Sequence, residues 1–282
     1  MLKTVMAGAA AFMCSVGLGW AQARVVTLGG DMTEIVYALG AGYKLVATDD
    51  QSLFPEPAKA LPKVGYVRRL SAEGVLSVEP DLLLISGAAR PQSALDQITA
   101  SGVDIVSVET EYTPEIILKK IDVVAEALGL EAEGKAYAAK VQADIDDYKA
   151  RVDALGVSPK ALFFASVPGG APRAAGDNTA AGGVIEMLGG TNVFAGQEGY
   201  KSLSLEAAVA ADPDIILVMI HHAEREGGIE AVRNHPAIAL TRPAQEGMIF
   251  LVDQYTVMQF GPRAPAAVAD LAEEIAEKLG DD

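Results

Sequence analysis

One short segment of the chain places a tyrosine beside two arginines. Tyr66 follows Gly65 and is followed, after one residue, by Arg68 and Arg69. A phenol ordinarily loses its proton near pH 10, and neighbouring positive charge favours the phenolate. A phenolate oxygen is a hard anionic donor that can bind ferric iron, and the guanidinium fork matches carboxylates. The segment therefore indicates a site for an acidic, iron-containing ligand. The alternative is a tyrosine that only packs in the core.

The tyrosine segment introduces a sequence that the chain contains twice. Leu70–Ile85 recurs without a gap as Leu203–Val218, at an offset of 203 − 70 = 133 residues. Each copy follows a Gly-Tyr pair, which ends in Tyr66 in the first copy and Tyr200 in the second. Such a duplication predicts two similar lobes. Because only the first copy has arginines after its tyrosine, we expect the ligand to bind to the first lobe.

Strand and helix patterns alternate along both halves of the chain, which predicts parallel sheets covered by helices. Asp31 is expected to cap a helix over Met32–Leu39, and Ser71 a helix over Ala72–Val78. The predicted strands are Arg24–Leu28, Lys44–Thr48, Leu82–Ser86, Ile105–Val108, Ala161–Ala165, Ile215–Ile220 and Ile249–Val252.

Two consecutive helical patterns, Ile116–Leu128 and Glu131–Leu155, interrupt this alternation. About 22 helical residues span roughly 33 Å, which is long enough to connect two lobes. We therefore predict an α/β fold with two lobes of mostly parallel, helix-covered sheets joined by a single long helix. The expected boundaries are 24–130 for the N-terminal lobe, 131–156 for the helix and 157–282 for the C-terminal lobe. Little motion between the lobes is expected.

The first 23 residues have the features of a secretory signal peptide. Lys3 precedes the apolar run Val5–Gly19, and Ala21-Gln22-Ala23 is typical of a cleavage site. Cys14 follows two large residues, which argues against a lipid attachment site. The rest of the chain has no long apolar stretch, so the mature protein is not expected to be embedded in a membrane.

The mature chain is acidic and has no cysteine. Removing the leader takes the net charge from −16 to about −17, because the leader contains one lysine and no acidic residue. Such a charge disfavours nucleic acid and anionic lipid as partners and suits a soluble protein that meets a basic surface. Without disulfides, the exported fold must depend on its core.

No motif for nucleotide binding or catalysis is present. The Gly40-Ala41-Gly42 segment ends a predicted helix instead of opening one, and there is no phosphate-binding loop. There is no Gly-x-Ser-x-Gly nucleophile segment either. We therefore do not expect an enzyme.

The three histidines all lie in the second half of the chain. His221 and His222 follow the predicted strand Ile215–Ile220, at the carboxyl end where ligands of α/β proteins usually bind. Neighbouring side chains of an extended chain point to opposite sides, so we do not expect both to hold one metal ion. Either could face a cleft, whereas His235 precedes a proline and is expected in a loop.

The chain resembles the periplasmic haem-binding proteins of bacterial ABC importers, within the helical-backbone class of substrate-binding proteins. The stretch Leu61–Gly74, which includes Tyr66, has the most specific resemblance. Further matching segments are Thr33–Gly40, Ala174–Ala181 and Gly261–Arg263. The resemblance implies a monomer that carries ferric haem b in the periplasm, edge-on in the cleft between the lobes.

The resemblance also assigns expected roles to particular residues. Tyr66 would be the axial ligand of the haem iron, and Arg68 would lie near the phenolate or a propionate. Arg69 belongs to the same segment, and Arg173 is a further candidate for a propionate. The loop Ser166–Gly170 lacks the histidine with which some relatives hold a second haem. We therefore expect one haem, with His221 or His222 as a weak candidate for a second ligand.

In related importers, one glutamate on each lobe docks into arginine pockets of the membrane permease. Glu73 and Glu206 occupy equivalent places in the two copies, so the resemblance implies that they form this docking pair. The alternative is that each carboxylate only interacts with its helix dipole. A ferric siderophore or a corrinoid, bound by the same fold, is the alternative to haem.

Overall fold

The computed structural model describes residues 23–87, 89–165 and 171–280 of the chain. Nearly all of the expected signal peptide, and the histidine-free loop 166–170, lie outside the described residues.

The N-terminal half contains a parallel sheet of four strands in the order β2-β1-β3-β4. The first three strands are almost entirely buried, as in a sheet covered by helices, whereas the edge strand β4 is partly exposed. Strand β2 lies on one side of β1 and strand β3 on the other, so the sheet has a topological switch point between β1 and β3. Ligands of open α/β sheets bind at such a point. The strands are β1 (Val25–Leu28), β2 (Leu45–Thr48), β3 (Leu82–Ser86) and β4 (Asp104–Val108); the helices are α1 (Gly30–Ala38), α2 (Glu56–Lys59), α3 (Ala72–Leu76) and α4 (Gln92–Ala100).

Two helices follow at the predicted bounds, α5 (Ile116–Leu128) and α6 (Glu131–Leu155). Gly129, in the left-handed conformation with φ 67°, ends α5 and turns the chain into α6. Gly134 lets α6 lie close to Ala125 of α5, because an added Cβ at this position would collide with the alanine. The 25 residues of α6 extend over roughly 37 Å.

The C-terminal half contains a sheet in the order β10-β9-β5-β6-β8, with β7 beside β5. Strand β6 pairs with β5 and with β8 in antiparallel fashion, whereas the other pairs are parallel. Strands β6, β7 and β8 were not predicted. The predicted fold class is thus confirmed. The strands are β5 (Lys160–Ala165), β6 (Arg173–Ala175), β7 (Thr191–Asn192), β8 (Tyr200–Ser202), β9 (Ile215–Met219) and β10 (Ile249–Val252); the helices are α7 (Ala180–Met187), α8 (Leu205–Ala210), α9 (Ile220–Glu226), α10 (Ile229–Arg233), α11 (Arg242–Glu246) and α12 (Ala264–Gly280).

The duplicated sequence folds into matching structure. Strands β3 and β9 differ in number by the same 133 residues at both ends. Ser71, as predicted, caps α3 by accepting a hydrogen bond from Gly74 N, and Ser204 caps α8 by accepting one from Ala207 N.

The same correspondence extends to the start of each sheet. Asp81 accepts a hydrogen bond from the backbone N of Arg24 beside β1, and Asp214 accepts one from the backbone N of Lys160 in β5, each at 2.8 Å. The two lobes therefore share one local design.

Asp31 does not cap α1, contrary to the expectation from the sequence. The helix begins at Gly30, with Gly29 as its N-cap, so Asp31 lies inside the first turn. Its carboxylate is buried and forms an ion pair with Lys120 Nζ at 2.6 Å. Lys120 also donates hydrogen bonds to the carbonyls of Gln259 and Phe260. A buried carboxylate needs such a partner, and the partner here comes from α5.

One buried hydrophobic cluster extends through both halves of the molecule. It contains Ile35 of α1, Ile145 of α6 and Phe163 of β5. The ion pair between Arg263 Nε and Glu34 Oε2, at 2.9 Å, also connects the halves. The lobe boundaries near residues 130 and 156 stay a prediction, because the core is continuous across them. This core supports the expectation that the lobes move little.

We predict that Lys120→Met lowers the free energy of unfolding by about 3–5 kcal/mol, because it leaves Asp31 buried without its cationic partner. The side chains of Lys120 and Asp31 are 5% and 1% exposed. Lys119→Met is the matched control, since Lys119 pairs with Glu111 at side-chain exposures of 50% and 48%; such an exposed pair contributes about 0–1 kcal/mol. Urea unfolding measures both variants. Equal losses would contradict the predicted stabilisation by the buried ion pair.

Candidate functional site

Backbone hydrogen bonds hold the Tyr66 segment at the carboxyl edge of the N-terminal sheet. Gly65 accepts from Asp50 N at 3.0 Å, just beyond the end of β2. Gly65 has φ 98°, a conformation that favours glycine. A single 3-10 turn over Val67–Arg69 follows, closed by Arg69 N donating to Tyr66 O at 2.8 Å. The position of the tyrosine is thus determined before any ligand binds.

A second set of hydrogen bonds ties this turn to the segment after β3. Arg90 N donates to Val67 O at 2.9 Å, and Leu70 N donates to Arg90 O at 2.7 Å. Val67 and Leu70 bury their side chains, whereas Arg68 and Arg69 are exposed. The turn therefore presents two guanidinium groups on its outer face.

Tyr66 is half-buried and lies beside Arg69, whose guanidinium carbon is 5.9 Å from the centre of the phenol ring. Within the described residues, the Tyr66 hydroxyl has no hydrogen-bond partner, and neither Arg68 nor Arg69 pairs with a carboxylate. This is notable in a chain with 38 acidic and 22 basic residues. A phenol and two guanidinium groups are thus available to a ligand.

Arg173 and Tyr200 form a second tyrosine–arginine pair, in the C-terminal lobe. Arg173 begins β6 and is paired with Ser202 of the neighbouring β8. Its Nη2 donates to Tyr200 O at 2.6 Å, and its guanidinium carbon lies 5.5 Å from the centre of the Tyr200 ring. The C-terminal lobe thus also has an arginine beside its tyrosine, although no arginine closely follows Tyr200 in the sequence. The pairing of β6 with β8 brings Arg173 beside Tyr200.

The electrostatics of Tyr200 connect the two lobes. Burial raises the pKa of its phenol, whereas the guanidinium groups of Arg68 and Arg173 act to lower that pKa. Tyr112, which follows β4, acts to raise it. Because Arg68 and Tyr112 belong to the N-terminal half, Tyr200 lies near that half of the molecule. The structure thus brings together Arg68 and Arg173, two of the candidates from sequence, and adds Tyr200. The roles of Tyr66, Arg68, Arg69 and Arg173 in binding stay predictions.

His221 and His222 do not lie on an extended strand. Strand β9 ends at Met219 and helix α9 begins at the next residue, so both histidines occupy the first turn of a helix. Their ring centres are 4.3 Å apart, so the expectation that they point to opposite sides was wrong. Burial lowers the pKa of His222 to about 4. His235 lies between α10 and α11, as expected, with its ring edge against Phe164.

No bare metal site accompanies these residues. Among the described residues, no group of three or more histidine, cysteine, aspartate or glutamate side chains could hold a metal ion. Iron bound at Tyr66 would therefore need most of its ligands from a chelate.

Glu73 and Glu206 are exposed in the first turns of α3 and α8, one on each lobe. Hydrogen bonds from its own backbone N–H and from the Ser204 hydroxyl lower the pKa of the Glu206 carboxyl. Their docking role is a prediction. None of the helices in residues 23–87, 89–165 and 171–280 combines the length and apolar character needed to cross a membrane.

A profile of the family described as "Periplasmic binding protein" matches residues 25–256. Among solved structures, the chain is similar to the periplasmic heme-binding protein RhuT from Roseiflexus sp. RS-1 in apo form, with 36% identity and a TM-score of 0.86 over 91% of this chain and 98% of that chain. It is also similar to the periplasmic heme-binding protein BhuT in complex with two hemes, with 34% identity and a TM-score of 0.86 over 91% and 99%.

Curated relatives are more distant and differ in their ligands. An uncharacterized ABC transporter substrate-binding lipoprotein, YvrC of Bacillus subtilis, is 27% identical over 89% of this chain and 79% of its own length. The vitamin B12-binding protein of Vibrio campbellii is 25% identical over 72% of this chain and 73% of its own length.

Proposed function

The chain belongs to the periplasmic binding protein family, and on this basis we propose that it is a non-enzymatic carrier that binds ferric haem in the periplasm and delivers it to an inner-membrane ABC permease. We propose that it acts as a monomer.

The observation that carries this proposal is the Tyr66 segment. Its backbone is held in place by hydrogen bonds. Within the described residues its phenol has no hydrogen-bond partner, and neither of the two guanidinium groups that follow it pairs with a carboxylate. These groups fit haem, which offers a ferric iron and two carboxylates, and whose macrocycle supplies the remaining equatorial ligands. The two heme-binding relatives with solved structures are also more similar to the chain than the vitamin B12-binding relative is.

In this proposal Tyr66 binds the iron as phenolate, while Arg68, Arg69 and Arg173 bind the propionates. Hydroxide on ferric haem accepts the phenol proton and leaves as water, so the iron stays ferric and no redox partner is needed. The arginines favour the phenolate and form charge-assisted hydrogen bonds with the propionates.

Glu73 and Glu206 form the proposed contact with the permease. Each is exposed in the first turn of a short helix, and these helices occupy matching places in the two lobes. Two carboxylates on one rigid molecule suit two basic pockets on a two-fold symmetric partner.

A corrinoid or a ferric siderophore is the second candidate, favoured by the similarity to vitamin B12-binding proteins. The same arginines could bind the polar groups of such a ligand. This candidate predicts no bond between Tyr66 and a haem iron.

Titration of the purified ligand-free protein with hemin, and separately with vitamin B12, tests the proposed function. We expect hemin to give a saturable shift of its Soret band and a charge-transfer absorption typical of ferric iron bound to phenolate. Vitamin B12 is expected neither to bind nor to displace hemin. Saturable binding of vitamin B12 without binding of hemin would contradict the proposal.

A further inference from the structure

We propose that Tyr200 and Arg173 form a second half of the ligand site, in which the Tyr200 phenolate binds ferric haem iron from the C-terminal lobe while Arg173 holds a propionate. This inference rests on the proposed function and assigns a further iron-binding residue on the opposite wall of the cleft.

The first argument is the correspondence between the lobes. Tyr66 and Tyr200 each follow a glycine with positive φ, 98° at Gly65 and 69° at Gly199. Each leads into a Ser-capped helix and then a central parallel strand. The two tyrosines therefore precede matching parts of the duplicated unit, at an offset of 200 − 66 = 134 residues.

The second argument is the arginine beside each ring. The distance from the guanidinium carbon to the ring centre is 5.9 Å for Arg69 and Tyr66, and 5.5 Å for Arg173 and Tyr200. Arg69 is three residues from Tyr66 in the sequence, whereas Arg173 reaches Tyr200 because β6 pairs with β8. The two lobes therefore form the same pairing by different routes. Within the described residues, no carboxylate pairs with Arg173, so its charge is available to a ligand.

The third argument is that Tyr200 lies near residues of the N-terminal half. Arg68, from the same turn as Tyr66, and Tyr112 both lie within electrostatic reach of the Tyr200 phenol. The ring of Tyr112 packs against Phe260, with centres 5.7 Å apart, where the lobes meet. Tyr200 thus lies near the turn that carries Tyr66, and we place a planar ligand, inserted edge-on, between the two phenols.

The chemistry at Tyr200 is the same as at Tyr66. Its phenol gives its proton to hydroxide on a ferric iron, the hydroxide leaves as water and an oxygen–iron bond forms. Burial keeps the free phenol protonated, and Arg68 and Arg173 favour the phenolate once the ligand arrives. His221 and His222 are the competing candidates. Their rings contact each other in the first turn of α9, with centres 4.3 Å apart.

Hemin titrations of four proteins test the inference: the wild type, Tyr66→Phe, Tyr200→Phe and the double variant. Phenylalanine keeps the ring and removes only the oxygen. We expect Tyr66→Phe to retain weak binding with the iron–phenolate absorption, and the double variant to lose that absorption and to bind at least about tenfold more weakly than Tyr66→Phe. Tyr43→Phe is the control, because Tyr43 is 79% exposed at the opposite edge of the sheet.

The stoichiometry distinguishes two forms of the site, and both support the inference. If the wild type saturates at one hemin, and the spectrum of the hemin complex of Tyr200→Phe differs from that of the wild type, both phenols bind one iron. If the wild type saturates at two hemins and Tyr200→Phe at one, each phenol binds its own iron. The inference fails if Tyr200→Phe matches the wild type in affinity, spectrum and stoichiometry while Tyr66→Phe matches the double variant. If the wild type itself does not bind hemin, the proposed function fails first.

Discussion

Tyr66→Phe is expected to weaken hemin binding at least about a hundredfold, equivalent to about 2.7 kcal/mol. The substitution removes the Tyr66 oxygen that, in the proposed function, bonds to the iron, and it leaves the ring beside Arg69. The fold should tolerate the change, because the Tyr66 hydroxyl makes no hydrogen bond within the described residues. At saturating hemin, any iron–phenolate absorption that Tyr66→Phe keeps should be lost when Tyr200 is also replaced by phenylalanine.

Two comparisons make the Tyr66 result specific. Tyr43→Phe should bind hemin as the wild type does, because its phenol is remote from the cleft. Arg68→Ala should weaken binding less than Tyr66→Phe does, and the difference from wild type should decrease at high salt, because an exposed charge is screened. Hemin binding by Tyr66→Phe with unchanged affinity and spectrum would remove the basis of the haem assignment.

Reversing the charge of the proposed docking pair, by Glu73→Lys with Glu206→Lys, is expected to abolish haem transport while leaving hemin affinity within about twofold of wild type. The physical reason is that two carboxylates that would enter basic pockets become like charges. Both residues are exposed and lie outside the cleft residues described above, so the ligand site should be intact. Transport is measured by haem uptake in cells that depend on this carrier, and affinity by hemin titration.

The control for charge alone is Glu131→Lys with Glu133→Lys. These glutamates lie in the first turn of α6. Their replacement therefore changes the net charge as much as the Glu73 and Glu206 variant does, and it also removes favourable interactions with a helix dipole. This variant should transport haem normally. Equal loss of transport in both double variants, or loss of hemin binding in the Glu73 and Glu206 variant, would contradict the docking assignment.

The parts of the fold that were predictable from sequence are those determined by local patterns. The bounds of α5 and α6 follow from uninterrupted helical periodicity, and the Ser71 cap follows from a preference that its own side chain satisfies. Asp31 differs because two interactions compete for its carboxylate. Lys120 lies 89 residues away in the sequence. The Asp31 carboxylate pairs with its ammonium group instead of capping the backbone N–H groups of α1, because both charges are buried together.

The candidate site was predictable on one side of the cleft and not on the other. Arg68 and Arg69 adjoin Tyr66 in sequence, so their chemistry is visible without a structure. Arg173 reaches Tyr200 only because β6 and β8 pair as antiparallel strands, and the short β8 has no strong strand pattern. The histidines were misplaced for a related reason. The apolar run Ile215–Ile220 continues past the end of β9, so the sequence does not reveal that a helix starts at Ile220.

The hydrophobic core that runs without a break through both halves has a consequence for recognition. Carriers whose halves close around their cargo present one outline when empty and another when full, and a receptor can distinguish them by shape. Here the separation between the exposed carboxylates of Glu73 and Glu206 is set by Ile35, Ile145, Phe163 and the rest of that core. An empty molecule should therefore compete with a full one for the same receptor, and discrimination between them would have to depend on the cargo exposed at the mouth of the cleft.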